Sequence, residues 1–166
     1  MTESDFYHEI KRGFSKEVHL QRIENAVGDG VPDVNAFRLT GETESKAATP
    51  AGVDLWIETK MIRNGRVFVR HSQIAWCWQR CAKHGARNVF FAGRAPDGIK
   101  TWSAMFVVTA ARLAKDDPKA WRYRETEEGF FIDLGEGMFK EKGIGPKVIK
   151  KLEEFLFERA GKAEAA

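Results

Sequence analysis

No run of about 18 apolar residues occurs anywhere in the 166-residue chain, so no membrane-crossing helix is expected. The first residues, Met1-Thr2-Glu3-Ser4-Asp5, lack the basic start and apolar run of a secretory signal, and a cytoplasmic location is expected. Cysteine is scarce. Cys77 and Cys81 are the only two, four positions apart, and no second Cys or His pair completes a metal or disulfide framework. They read as small buried residues of a reducing compartment. The four histidines, His8, His19, His71 and His84, show no ligand-pair spacing, so none is assigned to a metal. Excess charge is also small: 27 Lys and Arg against 24 Asp and Glu leave +3, which permits nucleic-acid binding without requiring it.

What the chain does have is apolar material. Hydrophobic residues make up 43% and aromatics 11%, enough at this length for one domain, residues 1–166, with a substantial core. Residues 5–15 predict a helix with Phe6, Ile10 and Phe14 on one stripe. Residues 18–24, 31–39 and 53–61 predict strands, and 40–52 a hairpin tip. Asn64-Gly65 signals a tight turn, with 66–70 returning as a strand. Ser72 caps a helix over 72–84 with Gly85 as its stop, and Ile74, Cys77, Trp78, Cys81 and Ala82 form its apolar stripe, with Trp76 also helping to bury it. A buried strand is expected at 88–92. Beyond it come a strand at 101–109, a short helix at 110–115, a strand at 129–134 and an amphipathic helix at 146–160.

Two stretches carry the chemistry: Gly30-Val31-Pro32-Asp33-Val34 and Trp56-Ile57-Glu58-Thr59-Lys60. In a strand over 53–61, Val53, Leu55 and Ile57 face the core, while Glu58 and Lys60, two apart, project together from the other face. A buried Glu beside a buried Lys is costly unless the two pair or a metal joins them. Asp33 meets them if 31–39 forms the neighbouring strand, with Val31-Pro32 at its start where a missing N–H is tolerated. Two carboxylates and a lysine so placed suit phosphodiester hydrolysis: the acids hold Mg²⁺ and the lysine orients or deprotonates water. Trp56 shares the Glu58 face, as a wall of the site or packed under the first helix. Asp54 shares it too but lies about 13 Å from Glu58 along an extended chain, too far to join.

The pattern P-D, then E-x-K, resembles the PD-(D/E)XK nuclease superfamily. Its surroundings resemble the phage and Holliday-junction-resolvase-like branch that includes the virus-type replication-repair nuclease domain (VRR-NUC). Arg22-Ile23-Glu24 precedes Gly30-Val31-Pro32-Asp33-Val34, and Ser72-Gln73-Ile74-Ala75-Trp76 follows the E-x-K, as in that branch. The motif core covers about 18–92. The resemblance implies an α/β, restriction-endonuclease-like core: a mixed central β-sheet flanked by helices. It implies Asp33 and Glu58 as ligands of Mg²⁺, with Mn²⁺ as a substitute, the Thr59 backbone carbonyl as a further ligand, and Lys60 as the catalytic lysine. Gln73 would touch the phosphate or a metal-bound water. Glu24 would be an additional acid near the metal, with Glu9 of the first helix as its rival.

Arg63, Arg66, Arg70 and Ser72 would then contact the nucleic-acid backbone, with Arg80, Lys83 and Arg87 further along the same rim. Gly143-Ile144-Gly145-Pro146-Lys147 resembles the hairpin and second helix of a helix-hairpin-helix element, which brings Lys147 in as another backbone contact and makes 146–160 an accessory DNA-contacting or dimerisation helix. An ordinary glycine turn before an amphipathic helix is the plainer alternative. The activity implied is a metal-dependent endonuclease acting on branched or structured DNA, with DNA as partner. A homodimer follows if a junction is cut at two points. A non-catalytic DNA-binding module and a restriction-type endonuclease are the alternatives. A phage origin, and so a bacterial host's cytoplasm, belongs to the same resemblance.

Overall fold

The computed structural model describes residues 1–23, 30–39 and 52–165. Helix α1 (Glu3–Gly13) begins two residues earlier than periodicity alone indicates. A capping box sets its start: the Thr2 hydroxyl accepts from the Asp5 N–H at 3.2 Å, and the Asp5 carboxylate accepts from the Thr2 N–H at 2.7 Å. The acidic first turn and basic last turn suit the helix dipole. Phe6, Tyr7 and Ile10 form its buried stripe, and Phe14 is buried just past its end.

Strands β1 (Val18–Arg22), β2 (Val34–Leu39) and β3 (Gly52–Met61) run antiparallel in sequence order. The chain then leaves the sheet through β4 (Val67–Arg70) and α2 (His71–Cys77), whose end widens into a π-helical turn, Trp78–Lys83. It returns as β5 (Val89–Ala95), parallel to β3. β6 (Gly98–Ser103) pairs antiparallel with β5, and β9 (Phe139–Lys142) closes the far edge. The six-stranded order is β1-β2-β3-β5-β6-β9, the expected mixed central sheet. A second sheet of three strands has the order β4-β8-β7, with β7 at Arg124–Glu125 and β8 at Gly129–Ile132.

Helices cover both faces of the large sheet, so its central strands are buried on both sides. On one face α1 and α4 (Pro146–Ala165) place Phe6, Ile10, Ile149, Leu152, Leu156 and Phe157 against Val34, Ala36, Val53, Leu55 and Ile57. On the other, α2, α3 (Ala104–Asp116) and the small sheet place Cys77, Val107, Ala110, Phe130 and Ile132 against Val89, Phe91 and Trp102. The two cysteines are buried and free, as expected. Among the described residues, no helix is long and apolar enough to cross a membrane.

Several expectations need correction. β2 begins at Val34, so Val31-Pro32 precedes the strand. Arg70, not Ser72, is the N-cap of α2, and the carboxamide of Gln73 accepts from its N–H at 3.0 Å. Cys77 at the end of α2 and Cys81 in the π turn point inward, while Trp78 and Ala82 are exposed, which breaks the predicted stripe. The Asn64-Gly65 turn forms, with φ of 53° and 75°, but only an Arg63–Arg66 bridge closes beneath it. β4 then pairs with β8 in the second sheet. The strand expected at 101–109 stops at Ser103, whose hydroxyl caps α3 by accepting from the Phe106 N–H at 3.1 Å. A strand, β9, precedes the Gly143–Gly145 turn where a helix-hairpin-helix needs a helix. The expected hairpin tip at 40–52 lies, apart from Gly52, outside the described residues.

One buried acid ties these layers together. Glu153 of α4 is 1% exposed. Its carboxylate accepts from the Ser15 N–H after α1, from the Ser15 hydroxyl at 2.7 Å, and from Arg38 of β2 at 3.2 Å. Arg38 is partly exposed, so the hydrogen bonds from Ser15 carry the larger share. Glu153→Ala strips these donors of their acceptor and is expected to cost about 2–4 kcal/mol. Urea denaturation measures it, and an unchanged midpoint would remove Glu153 from the supports of the fold.

Candidate active site

The β2–β3 register pairs Val34 with Ile57, which carries Asp33 to the side of Glu58. Asp33 does not extend the ladder to β3 through its own N–H. That group donates to the Glu58 carboxylate at 3.2 Å, while its carbonyl accepts from the Ile23 N–H at 2.8 Å. The Asp33 carboxylate turns toward the next residue of β3, accepting from the Thr59 N–H at 2.8 Å and from the Thr59 hydroxyl. Asp33 is thereby held by both partner strands.

Glu58 and Lys60 project from one face of β3, as their spacing predicts, and both are buried. Their nearest charged atoms are 3.7 Å apart. Gln73, from the first turn of α2, bridges them: its Nε2 donates to Glu58 at 2.8 Å and its Oε1 accepts from Lys60 Nζ at 2.9 Å. Gly30 fixes the distance between the two halves of this cluster. Its φ is +85°, and a Cβ there would stand 2.1 Å from the Ser72 carbonyl oxygen and 3.1 Å from the Gln73 nitrogen. The loop carrying Asp33 therefore lies directly on the backbone of the turn carrying Gln73.

Burial pushes the Glu58 carboxyl up to about 8, with the negative charge of Asp33 adding to the rise, Lys60 opposing it and Glu3 adding further. Burial also raises Asp33, against the hydrogen bonds from Thr59. Glu3 is a further acid close enough to feel Asp33 and Lys60, and the sequence pattern does not single it out. It opens α1 and reaches solvent, yet the surrounding protein raises its carboxyl, with Lys60 opposing, Asp33 adding, and Arg70 and Arg63 opposing. Periodicity gives no signal for it, since the Phe6, Tyr7 and Ile10 stripe packs on the face of β3 opposite to Glu58 and Lys60.

Asp33, Glu58, Lys60 and Gln73 thus come together, with Thr59 between them. Glu24 lies outside the described residues. Its rival Glu9 is engaged elsewhere, with Arg94 of β5 at 3.2 Å. Ser72 lies within α2 and meets Gly30 through its carbonyl. Arg63 and Arg70 are exposed near Glu3, and Arg63 donates to the Met1 carbonyl at 3.1 Å. Arg66 is half-buried against Phe131. Lys147 is remote: Ile149, two residues on, packs on Gly13, at the opposite end of α1 from Glu3 and about 15 Å along its axis. Trp56 packs against Trp76 of α2, ring centres 6.0 Å apart, and not under α1. The Cys77 thiol, close enough to feel Glu58, is pushed up by burial and is a poor nucleophile.

No family model and no curated protein matches the chain. Among solved structures it is similar to the 1.6 Å structure of Hjc, a Holliday junction resolvase from the archaeal hyperthermophile Archaeoglobus fulgidus. The match has 15% sequence identity and a TM-score of 0.43, covering 85% of this chain and 88% of that one.

The raised Glu58 carboxyl sets a pH dependence. Between about 4.5 and 8 the folded protein keeps a proton that the unfolded chain has lost, so stability falls as pH rises through that window. Glu58→Gln has no such loss. Its melting temperature is expected to gain on wild type between pH 5 and 8.5, by about 4 °C or more without added metal. Thermal melts across that range test this, and a constant difference would show that Glu58 ionises normally.

Proposed function

We propose that this chain is a metal-dependent nuclease that hydrolyses DNA phosphodiester bonds through Asp33, Glu58 and Lys60. The observation that carries this reading is the convergence of those residues with Gln73 into one buried, hydrogen-bonded cluster. Buried ion pairs contribute little net stability, so a raised carboxyl beside another acid is better explained by a task than by the fold.

The donor set fits a hard divalent cation. Asp33, Glu58 and Glu3 share their surroundings with the single ammonium of Lys60, and all three carboxyls are raised. An added cation relieves that excess of negative charge. Among the described residues no group of three acidic, His or Cys side chains forms a ready-made cage. Mg²⁺ does not need one, since it keeps several waters and takes one or two carboxylates. Asp33 and Glu58 would hold it, with the Thr59 carbonyl and Glu24 as further candidates. When bound, the ion would polarise the phosphate and lower the pKa of a bound water.

In this reading Lys60 orients or deprotonates the attacking water and balances charge on the five-coordinate phosphorus. Gln73 has its amide oxygen and nitrogen both engaged, so its geometry supports a positioning role, holding Glu58 and Lys60 in register, in place of the direct phosphate contact expected. Arg63 and Arg70 would supply cations for the flanking backbone. Branched or structured DNA is the proposed substrate, and a junction cut at two points would require a homodimer. One observation favours a second reading, a DNA-binding module without turnover. Each carboxylate oxygen of Asp33 and Glu58 already accepts from a protein donor, a network that is satisfied without a metal.

Cleavage of labelled duplex, single-stranded, flapped and four-way-junction DNA in Mg²⁺, Mn²⁺ and EDTA separates the two. Metal-dependent cutting is expected, abolished in Asp33→Ala and Glu58→Ala and at least about a hundredfold slower in Lys60→Ala. Binding without cutting in either metal would select the non-catalytic module. Independently of turnover, Mn²⁺ is expected to raise the wild-type melting temperature at pH 8 and to leave Glu58→Ala unchanged. Equal shifts in both would mean the ion binds elsewhere.

A further inference from the structure

The three-stranded sheet carries a second surface that the cluster does not use. Val67, Val69, Phe130 and Ile132 turn into the core, so Phe68 and Phe131, the alternate residues of β4 and β8, turn outward and remain partly exposed. They stand opposite each other in register, ring centres 5.0 Å apart. Arginines crowd them. The guanidinium of Arg124 lies 4.6 Å from the Phe131 ring centre and that of Arg66 lies 5.4 Å from it. The Arg66 Nε is buried without a hydrogen-bond partner among the described residues. A cleft of about 490 Å³ opens between this surface and the start of α1, lined by Thr2, Glu3, Met61, Arg63, Phe68 and Phe131. Glu3 belongs both to this cleft and to the surroundings of Asp33 and Lys60.

Such a surface suits one kind of occupant. Partly exposed aromatic rings flanked by guanidinium planes offer stacking to a flat, electron-rich ring, and the arginines offer pairing to its phosphates. A nucleotide inside a continuous duplex cannot use them, because both faces of its base are covered by its neighbours. A nucleotide that is unpaired or splayed out can. We infer that Phe68 and Phe131, with Arg63, Arg66 and Arg124, form a binding site for an unpaired nucleotide of DNA next to the phosphate presented to Asp33, Glu58 and Lys60. The inference rests on the nuclease reading and narrows its substrate class. The DNA acted on has unpaired or splayed nucleotides at the point of cutting, and uninterrupted duplex is a poor substrate.

The test is binding in EDTA, where nothing is cut, to a fully paired duplex and to the same duplex with a short unpaired segment carrying 2-aminopurine. Wild type is expected to quench the probe and to prefer the unpaired DNA by at least about tenfold, the size of one base–aromatic stack. Phe68→Leu keeps the apolar bulk and is expected to lose that preference, while Phe68→Tyr keeps it. Duplex affinity and melting temperature are expected to match wild type in both. Equal affinity for the two DNAs in wild type, or an unchanged preference in Phe68→Leu, would overturn the site, as would no binding to either DNA. Cleavage of the same DNAs in Mn²⁺ separates this inference from the nuclease reading. Preference without cutting sinks the nuclease and leaves the nucleotide site. Cutting of both DNAs at equal rates leaves the nuclease and sinks the site.

Discussion

The burial of Glu58 beside Lys60 near the C-terminal end of β3 is the constraint on which the rest of the site depends. Neither charge is tolerated alone in that position, and each is held by more than the other. Gln73 bonds to both, so the first turn of α2 must sit over the strand. Asp33 gives its N–H to Glu58 and its carboxylate to Thr59, so the segment before β2 must lie beside it. Gly30 lets that segment touch the backbone at Ser72. Three distant parts of the chain are positioned by the requirement that a buried acid and a buried ammonium find partners.

The large sheet makes that burial possible. With β3 central, paired with β2 on one side and β5 on the other, its backbone polar groups have ladder partners. The two helical layers then exclude water from both faces. The face toward α1 and α4 is largely apolar, with Val53, Leu55 and Ile57 on it, while Glu58 and Lys60 project from the other. Glu153 and the Glu9–Arg94 pair show a different use of buried charge. They fasten α4 and α1 to their neighbours at points away from the cluster, each with cationic or hydroxyl partners of its own.

Departures from the expected elements have local causes. The strand expected through Thr109 ends at Ser103 because a serine hydroxyl offers α3 a cap, and Ala104, Ala110 and Ala111 favour a helix once it is started. The stripe of α2 is broken after Cys77, where the chain widens into a π turn that keeps Cys81 inside and leaves Trp78 and Ala82 exposed. β4 does not return along β3 because Val67 and Val69 find partners on β8, more than 50 residues away, and local periodicity carries no information about that pairing.

What the sequence by itself determined is the parity of β3 and the identity of its polar pair. A period-two strand must put Glu58 and Lys60 on one face and Val53, Leu55 and Ile57 on the other, whatever surrounds it. It also determined that Asp33 follows a glycine and a proline, and that the first helix would bury Phe6, Ile10 and Phe14. Tertiary structure alone decided that Asp33 lies beside Glu58 and that Gln73 joins it to Lys60. It decided too that Glu9 pairs with Arg94, away from the cluster, and that Phe68 and Phe131 meet on a second sheet. These outcomes depend on strand register and helix docking, which are set by contacts between residues far apart in the chain. Periodicity reports only which side of its own element a residue occupies. It cannot report what stands opposite.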